Sequence, residues 1–214
     1  MDKQAREGAL KVLSEVYAGA RPALQYETAY ELLVAVILSA QCTDERVNKV
    51  TAELFKEHAT PEAMLTLSQE ELEKYIFSCG LYRSKAAHIL SASRDIIEKF
   101  GGKVPEDFKS LRSLAGVGQK TANVVSSVWF DKDAIAVDTH VFRVSNRLGL
   151  ADANTPLKTE EQLKEAIPQK NWSEAHHWLI WHGRRVCHSQ RPDCGNCPLS
   201  EYCDYYKKRE QDKE

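Results

Sequence analysis

The chain has 214 residues, of which 43% are hydrophobic and 28% are charged. This size and composition allow one large or two small globular domains with a buried core, and they exclude a fibrous or disordered protein. The formal net charge of −2, from 29 basic and 31 acidic residues, excludes a uniformly basic nucleic-acid-binding protein but not one with a local positive patch.

The start of the chain and its apolar runs indicate the cellular compartment. The first residues are polar and mixed in charge, so we expect no signal peptide. The longest apolar run, Leu32–Leu38, is too short to cross a bilayer. We therefore expect a soluble cytoplasmic protein, in which the six cysteines are metal ligands or buried thiols before they are disulfides.

Apolar residues recur at helical spacing along most of the chain. The pattern predicts helices at 7–17, 28–40, 44–58, 69–77, 84–100, 111–114, 119–130, 137–148, 157–167 and 172–186. Asp44 and Ser68 are predicted N-caps, and Gly101 is predicted to end a helix. The nearest approach to an alternating strand pattern, Ala134–Val137, is short and is predicted to be a connector. The sequence therefore predicts an all-α protein.

Four cysteines are grouped near the C-terminus, with six, two and five residues between them: Cys187, Cys194, Cys197 and Cys203. Four thiolates this close together predict a metal site, and a sulfur ligand set suits zinc or an iron–sulfur cluster. Structural zinc usually uses two short Cys-x2-Cys clips, whereas this loop has one, so the spacing favours a four-iron cluster. The other two cysteines, Cys42 and Cys79, are expected to be small buried hydrophobic residues.

Two glycines one residue apart, Gly116 and Gly118, precede the helix predicted at 119–130. Glycine accepts positive φ and close backbone approach, and the amides at a helix start can hold a phosphate. Between two helices, such a turn forms a helix–hairpin–helix motif, which grips the DNA backbone without reading its sequence.

Lys120 lies in the first turn of the second of these helices. The positive end of the helix dipole disfavours an ammonium there, which frees some amine for nucleophilic attack. The alternative is a lysine that only binds phosphate.

A candidate carboxylate lies further along, in the segment Val137-Asp138-Thr139-His140. Either Asp138 or Thr139 could cap the helix that begins there. A capping aspartate stays ionised, which also suits a carboxylate that stabilises positive charge on a sugar.

Taken together and in this order, the motifs strongly resemble those of the endonuclease III family of helix–hairpin–helix DNA glycosylases. The resemblance covers nearly the whole chain, through these segments: Leu38-Ser39-Ala40-Gln41, Gly80-Leu81-Tyr82, Gly116-Val117-Gly118, Val137-Asp138-Thr139-His140-Val141-Phe142-Arg143 and the cysteine loop. It implies two helical lobes with a DNA-binding cleft between them. Residues 22–132 would form a six-helix lobe with the hairpin motif at about 108–131, and residues 1–21 plus 133–214 would form the lobe of a [4Fe–4S] cluster.

The resemblance also implies an activity and its residues. The expected protein is a monomeric, nucleoid-associated enzyme of base excision repair that removes oxidised pyrimidines from double-stranded DNA. It would then cleave the strand by β-elimination through a lysine Schiff base, and it would also act on abasic sites. By matched positions Lys120 is the nucleophile, Asp138 stabilises the sugar cation, and the four clustered cysteines hold the iron–sulfur cluster. The implied DNA contacts are Gln41, Leu81, Gly116, Val117, Gly118, Thr139 and His140.

The resemblance further implies a monovalent cation held in the hairpin by the carbonyl oxygens of Arg112, Leu114 and Val117. The hairpin departs from the family pattern at two positions. Ala115 stands where relatives often have proline, which leaves the turn less rigid. Gln119 stands where they often have arginine, which removes a charge near phosphate.

Two alternative functions remain open on the sequence. A single-function mismatch glycosylase of the same superfamily usually lacks a lysine at the position of Lys120. A non-catalytic DNA-binding module with an iron–sulfur cluster would need neither Lys120 nor Asp138.

Overall fold

A computed structural model describes residues 1–20 and 23–212 of the chain, and its regular structure is entirely helical in these ranges. The α-helices are α1 (Lys3–Val16), α2 (Ala29–Leu38), α3 (Asp44–Leu54), α4 (Pro61–Met64), α5 (Gln69–Ile76), α6 (Tyr82–Phe100), α7 (Phe108–Ser113), α8 (Gln119–Val128), α9 (Thr139–Leu148), α10 (Pro156–Ala166), α11 (Trp172–Arg185) and α12 (Asp204–Gln211). Two 3-10 helices, Gln169–Asn171 and Ser200–Tyr202, precede α11 and α12. The prediction of an all-α protein is confirmed. No described helix is both long enough and apolar enough to cross a membrane.

Polar side chains set most of the helix starts by accepting the first unpaired backbone N–H groups. Ser68 caps α5 as predicted, and its partner Glu71 completes a capping box. The predicted cap of α3 is wrong by one residue: Thr43 Oγ1 accepts from Arg46 N, while Asp44 lies in the first turn. Gly101 ends α6 as predicted, with a φ of 61°.

Two helices escaped prediction because they lack an apolar stripe of useful length. Helix α4 has only four residues, which is too short to show a period. Helix α12 is polar throughout and buries none of its residues. Periodicity detects helices that bury one face, so both were invisible to it.

Contacts between Cα atoms divide the chain into two compact units. The unit Pro22–Asp131 contains α2 to α8, which are six helices of at least six residues and the single-turn α4. The other unit joins the chain ends, Met1–Arg21 and Lys132–Glu214. In it, Ala134–Val137 is a buried extended connector that forms no strand.

Helix α2 is the centre of the unit Pro22–Asp131. Every residue from Tyr30 to Leu38 is buried, as expected for a helix that is apolar nearly all round. Helices α3, α6 and α8 pack against it. The positions of the segments that follow α2 and precede α6 and α8 therefore depend on this one core element.

The unit of the chain ends has its own core, formed mainly by α1, α9 and α11. Leu13, Val141 and Leu179 are fully buried in it. Helix α11 also buries histidines in this core. At His177, burial and then the neighbouring His176 lower the pKa from 6.5 to about 3, so this imidazole is neutral in the folded protein at physiological pH.

This buried histidine predicts acid sensitivity. Unfolded His177 takes up a proton below about pH 6.5, whereas the folded residue does not until about pH 3, so stability is lost as the pH falls through this window. Between about pH 7 and about pH 5 the expected loss is roughly 2 kcal/mol from this residue. Urea unfolding of wild type and His177→Phe at both pH values measures it. An equal loss of unfolding free energy in both proteins would contradict the prediction.

Candidate active site and iron–sulfur site

The turn between α7 and α8 is built on a glycine that no other residue can replace without strain. Gly116 has a φ of 76°, and a Cβ at this position would lie 2.9 Å from the Cβ of His88. Val117 N donates to Leu114 O at 3.1 Å and closes the turn. Gly118 is the N-cap of α8 and offers no side chain to cap it. No side chain therefore caps the start of α8, and an external acceptor such as a phosphate oxygen can take the place of a cap.

Lys120 is the second residue of α8 and is exposed. It makes no hydrogen bond or ion pair with any residue of the described ranges. Its amine is thus not tied up by the fold and is available to a ligand.

A nearby arginine places positive charge at the hairpin despite Gln119. Arg112 Nη1 donates to Gln119 Oε1 at 3.1 Å. The guanidinium of α7 therefore lies beside the position at which relatives often carry arginine. The positive charge that Gln119 does not provide at the hairpin is therefore supplied by Arg112 of the preceding helix.

Gln41 and Leu81 are brought together by two touching turns. Both side chains are exposed, and both residues have positive φ, 54° and 59°, which is uncommon for residues other than glycine. A Cβ on Gly80, next to Leu81, would lie 3.2 Å from the carbonyl oxygen of Gln41. The fold thus presents these two side chains from adjacent positions of one unit.

A buried lysine ties the same two turns together. Lys85 Nζ, from the first turn of α6, donates to Leu38 O at 2.8 Å and Ala40 O at 2.6 Å at the end of α2. Burial lowers the pKa of Lys85, and the two carbonyls satisfy the ammonium. Nothing in the sequence marked this residue, because its role depends on contacts between distant helices.

Asp138 is the N-cap of α9, in the unit formed by the chain ends. Its Oδ1 accepts from Val141 N at 2.7 Å, which decides between Asp138 and Thr139 as the cap. Thr139 is exposed at the first position of α9. His140 Nδ1 lies 3.1 Å from Arg143 Nη2 and accepts a hydrogen bond from it. Burial lowers the pKa of His140; the charge of Asp138 opposes this shift, and the charge of Arg143 adds to it.

The four clustered cysteines line one pocket, which holds about 340 Å³ of space including its open mouth. No group of three or more His, Cys, Asp or Glu side chains in the described ranges is placed to hold a single metal ion. Four cysteine thiols around one common space are a donor set that holds an iron–sulfur cluster, so the residues present fit this group.

Positive and polar groups from outside the loop face the sulfurs. Arg147 Nη1 lies 3.5 Å from Cys187 Sγ, and Arg209 Nη1 lies 3.7 Å from Cys194 Sγ. Arg147 also donates to His188 O at 2.6 Å and Ser189 O at 2.9 Å, which fastens the loop to α9. Such donors stabilise the negative charge of a thiolate-bound cluster. Sequence reasoning missed both arginines, because neither lies within the cysteine loop.

His182 is a further residue at the cluster site that the sequence did not reveal. One ring nitrogen, Nδ1, lies 3.0 Å from the hydroxyl of Tyr17, and the other, Nε2, lies 3.7 Å from Cys197 Sγ. Burial lowers the pKa of His182 to about 4. A neutral imidazole therefore links α1 to a sulfur of the site.

Comparison with known proteins decides the family. The model of the HhH-GPD superfamily base excision DNA repair protein matches residues 34–169, and that of the iron–sulfur binding domain of endonuclease III matches residues 187–203. The endonuclease III of Rickettsia conorii is 52% identical over 183 residues, 86% of this chain and 87% of that protein. The chain belongs to the endonuclease III family. The endonuclease III of Haemophilus influenzae is 46% identical, over 98% of this chain and 100% of that protein.

Solved structures of the endonuclease III family share the fold. A trapped covalent endonuclease III–DNA intermediate has a TM-score of 0.94 and 45% identity, covering 98% of this chain and 99% of that one. A thermostable thymine-DNA glycosylase has a TM-score of 0.85 and 25% identity, covering 96% of this chain and 98% of that one. This chain is thus more similar to the endonuclease III structure than to the thymine-DNA glycosylase.

The hairpin geometry predicts that substitutions at its two glycines change the unfolding free energy by different amounts. Gly116→Ala forces a non-glycine residue to positive φ against His88, so we expect a loss of about 1–3 kcal/mol in unfolding free energy. Gly118→Ser is the matched control: its φ is −85°, a Cβ there meets nothing within 4 Å, and serine caps a helix at least as well as glycine, so we expect no loss. Denaturant unfolding measures both variants. Equal destabilisation would show that the turn does not depend on the conformation of Gly116.

Proposed function

We propose that this chain is a base-excision-repair enzyme that removes oxidised pyrimidines from duplex DNA and then cleaves the strand by β-elimination. The observation that carries the proposal is the exposed, unpaired amine of Lys120 in the first turn of α8, directly after the glycine hairpin. The trapped covalent DNA intermediate of a protein 45% identical to this chain supports covalent chemistry at such an amine. A single-function glycosylase would not need this lysine.

The reaction begins when the damaged nucleotide leaves the base stack, at a cost of a few kcal/mol that is smallest for poorly paired lesions. Lys120 Nζ attacks C1′ of the sugar, and the bond from C1′ to the base breaks. One amine proton leaves with the departing base and the other moves to the ring oxygen as the sugar ring opens, so that a Schiff base forms between Nζ and C1′. Loss of a proton from C2′ then expels the 3′ phosphate and breaks the strand. Water releases the product and restores the amine.

Asp138 has the role of stabilising positive charge on the sugar and assisting proton transfer. This carboxylate accepts the backbone N–H of Val141 through Oδ1, as the N-cap of α9. The N-cap bond fixes the direction of the side chain.

The remaining candidate residues bind and position DNA. The hairpin Gly116–Val117–Gly118 contacts a phosphate through its backbone, while Val117 N stays bonded to Leu114 O. Gln41 and Leu81 fill the space that the flipped nucleotide leaves. Thr139 and His140, at the start of α9, contact the strand. The proposed enzyme acts as a monomer on the DNA of the nucleoid. The monovalent cation in the hairpin stays a prediction.

The four cysteines would hold a [4Fe–4S] cluster, which supplies a thiolate-bound cross-link that fixes the loop 187–203. Arg147 and Arg209 offset its charge through the contacts to Cys187 and Cys194. Chemistry on DNA uses Lys120 and Asp138 only.

The lysine role is tested by borohydride trapping on a duplex that contains thymine glycol. Wild type should release the base, cleave the strand and form a covalent adduct, whereas Lys120→Gln should bind the duplex and do none of these. Lys109→Gln is the matched control, because this lysine is also exposed and lies in the preceding helix α7. Base release by wild type without an adduct would move the assignment to a single-function glycosylase, and binding without either to a non-catalytic module.

The aspartate role is tested by separating its charge from its cap. Asparagine caps helices as well as aspartate does, so Asp138→Asn should keep the unfolding free energy of the wild type. Base excision in single turnovers should slow by on the order of 100-fold, as is typical when a stabiliser of transition-state charge is removed. Asp138→Ala, which loses the cap as well, should also be destabilised by about 1 kcal/mol. Unchanged rates in Asp138→Asn would leave Asp138 a cap only.

A further inference from the structure

The two cysteines outside the iron–sulfur loop lie on the two turns that present Gln41 and Leu81. Cys42 follows Gln41, and Cys79 precedes Gly80. Cys79 is fully buried, as expected, but Cys42 is only half-buried. The two side chains are close enough that Cys42 raises the pKa of the Cys79 thiol. The expectation of a small buried hydrophobic residue therefore holds for Cys79 but is wrong for Cys42, which is partly exposed.

The backbone around the pair is held close by independent contacts. Gly80 lies against the carbonyl oxygen of Gln41: a Cβ built on Gly80 would be 3.2 Å from that oxygen. Lys85 Nζ, at 2.6 Å from Ala40 O, binds the turn of Cys42 to the start of α6. The two cysteines are thus fixed as neighbours by the fold, whatever their redox state.

The surroundings give the two sulfurs different reactivity. Burial, followed by the contact with Cys42, raises the pKa of Cys79 to about 11, and the charges of Lys85 and Arg46 only partly oppose this. Cys79 therefore carries its proton at neutral pH. Cys42 is the sulfur that a small oxidant can reach, because part of it is exposed.

We propose that Cys42 and Cys79 are a reversible disulfide site, oxidised by hydrogen peroxide, that joins the turns carrying Gln41 and Leu81. The Cys42 thiolate attacks peroxide, the O–O bond breaks, and a sulfenic acid and hydroxide result. Cys79 then attacks the Cys42 sulfur while its proton goes to the departing hydroxide. The S–S bond forms as the S–O bond breaks. In sum, two thiols and one hydrogen peroxide give one disulfide and two water molecules, and a dithiol reductant reverses the change.

The disulfide changes how the two turns present their side chains. It draws the two neighbouring sulfurs to a bond of about 2.05 Å, while Gln41 and Leu81 have backbone conformations that tolerate little change. We expect the oxidised protein to bind lesion DNA more weakly, a consequence that rests on the proposed function. Formation of the disulfide itself does not.

Peptide mapping of the peroxide-treated holoprotein tests the bond. After thiol alkylation, trypsin leaves Cys42 in the peptide Val12–Arg46 and Cys79 in the peptide Tyr75–Arg83, neither of which contains a cysteine of the iron–sulfur loop. We expect the two peptides to appear cross-linked by mass spectrometry and to separate after dithiothreitol. Alkylated, separate peptides, or a Cys42 sulfinic acid without the cross-link, would overturn the proposal.

Binding to a duplex with a stable abasic analogue tests the consequence. Peroxide should lower the affinity of wild type by about tenfold, and dithiothreitol should restore it. Cys79→Ala and Cys42→Ser, treated identically, should keep their affinity, which separates the dithiol from any damage to the cluster. An equal loss in all three proteins would overturn the regulatory role. If the reduced wild type does not bind the duplex, the proposed function is refuted instead. The peptide mapping still tests whether the disulfide forms.

Discussion

Unpaired N–H groups at the start of a helix must find acceptors, and the way in which this chain meets that requirement organises the molecule. Eight of the twelve α-helices within residues 1–20 and 23–212 begin with a side chain that accepts one of these groups. Helix α11 instead continues directly from a 3-10 helix, and α12 begins one extended residue, Cys203, after another. Only α6 and α8, of the helices described, begin without either device, at Leu81 and Gly118. These starts coincide with the turns proposed to meet DNA.

One buried helix holds these open starts in place. Helix α2 is enclosed along nearly its whole length, and α6 and α8 both pack against it. Gln41 follows its end, Leu81 precedes α6, and Lys120 lies in the first turn of α8. The residues that would act on a strand are therefore attached to the most rigid part of their unit. Side chains on such elements are held more precisely than side chains on free loops.

The parts of the site that are local in sequence could be predicted, and the parts that depend on tertiary contacts could not. The hairpin and the cysteine loop each lie within a short segment whose residue types declare their chemistry. Arg147, His182 and Lys85 act through partners far along the chain, and the Cys42–Cys79 contact joins two separate turns. The helices were predicted wherever one face is buried, and α4 and α12 were missed because neither shows a buried face of useful length.

The unit that contains the cysteine loop joins two segments separated by the whole unit Pro22–Asp131, and this affects how the protein is made. During translation α1 leaves the ribosome well before α11, against which it packs. The four cysteines follow α11. The unit Pro22–Asp131 can therefore fold before α11 has been made, whereas the unit of the cysteine loop must wait. Iron can bind the complete set of four cysteines only after Cys203 has been made, and a nascent chain that stalls before α11 would expose the apolar face of α1 to chaperones.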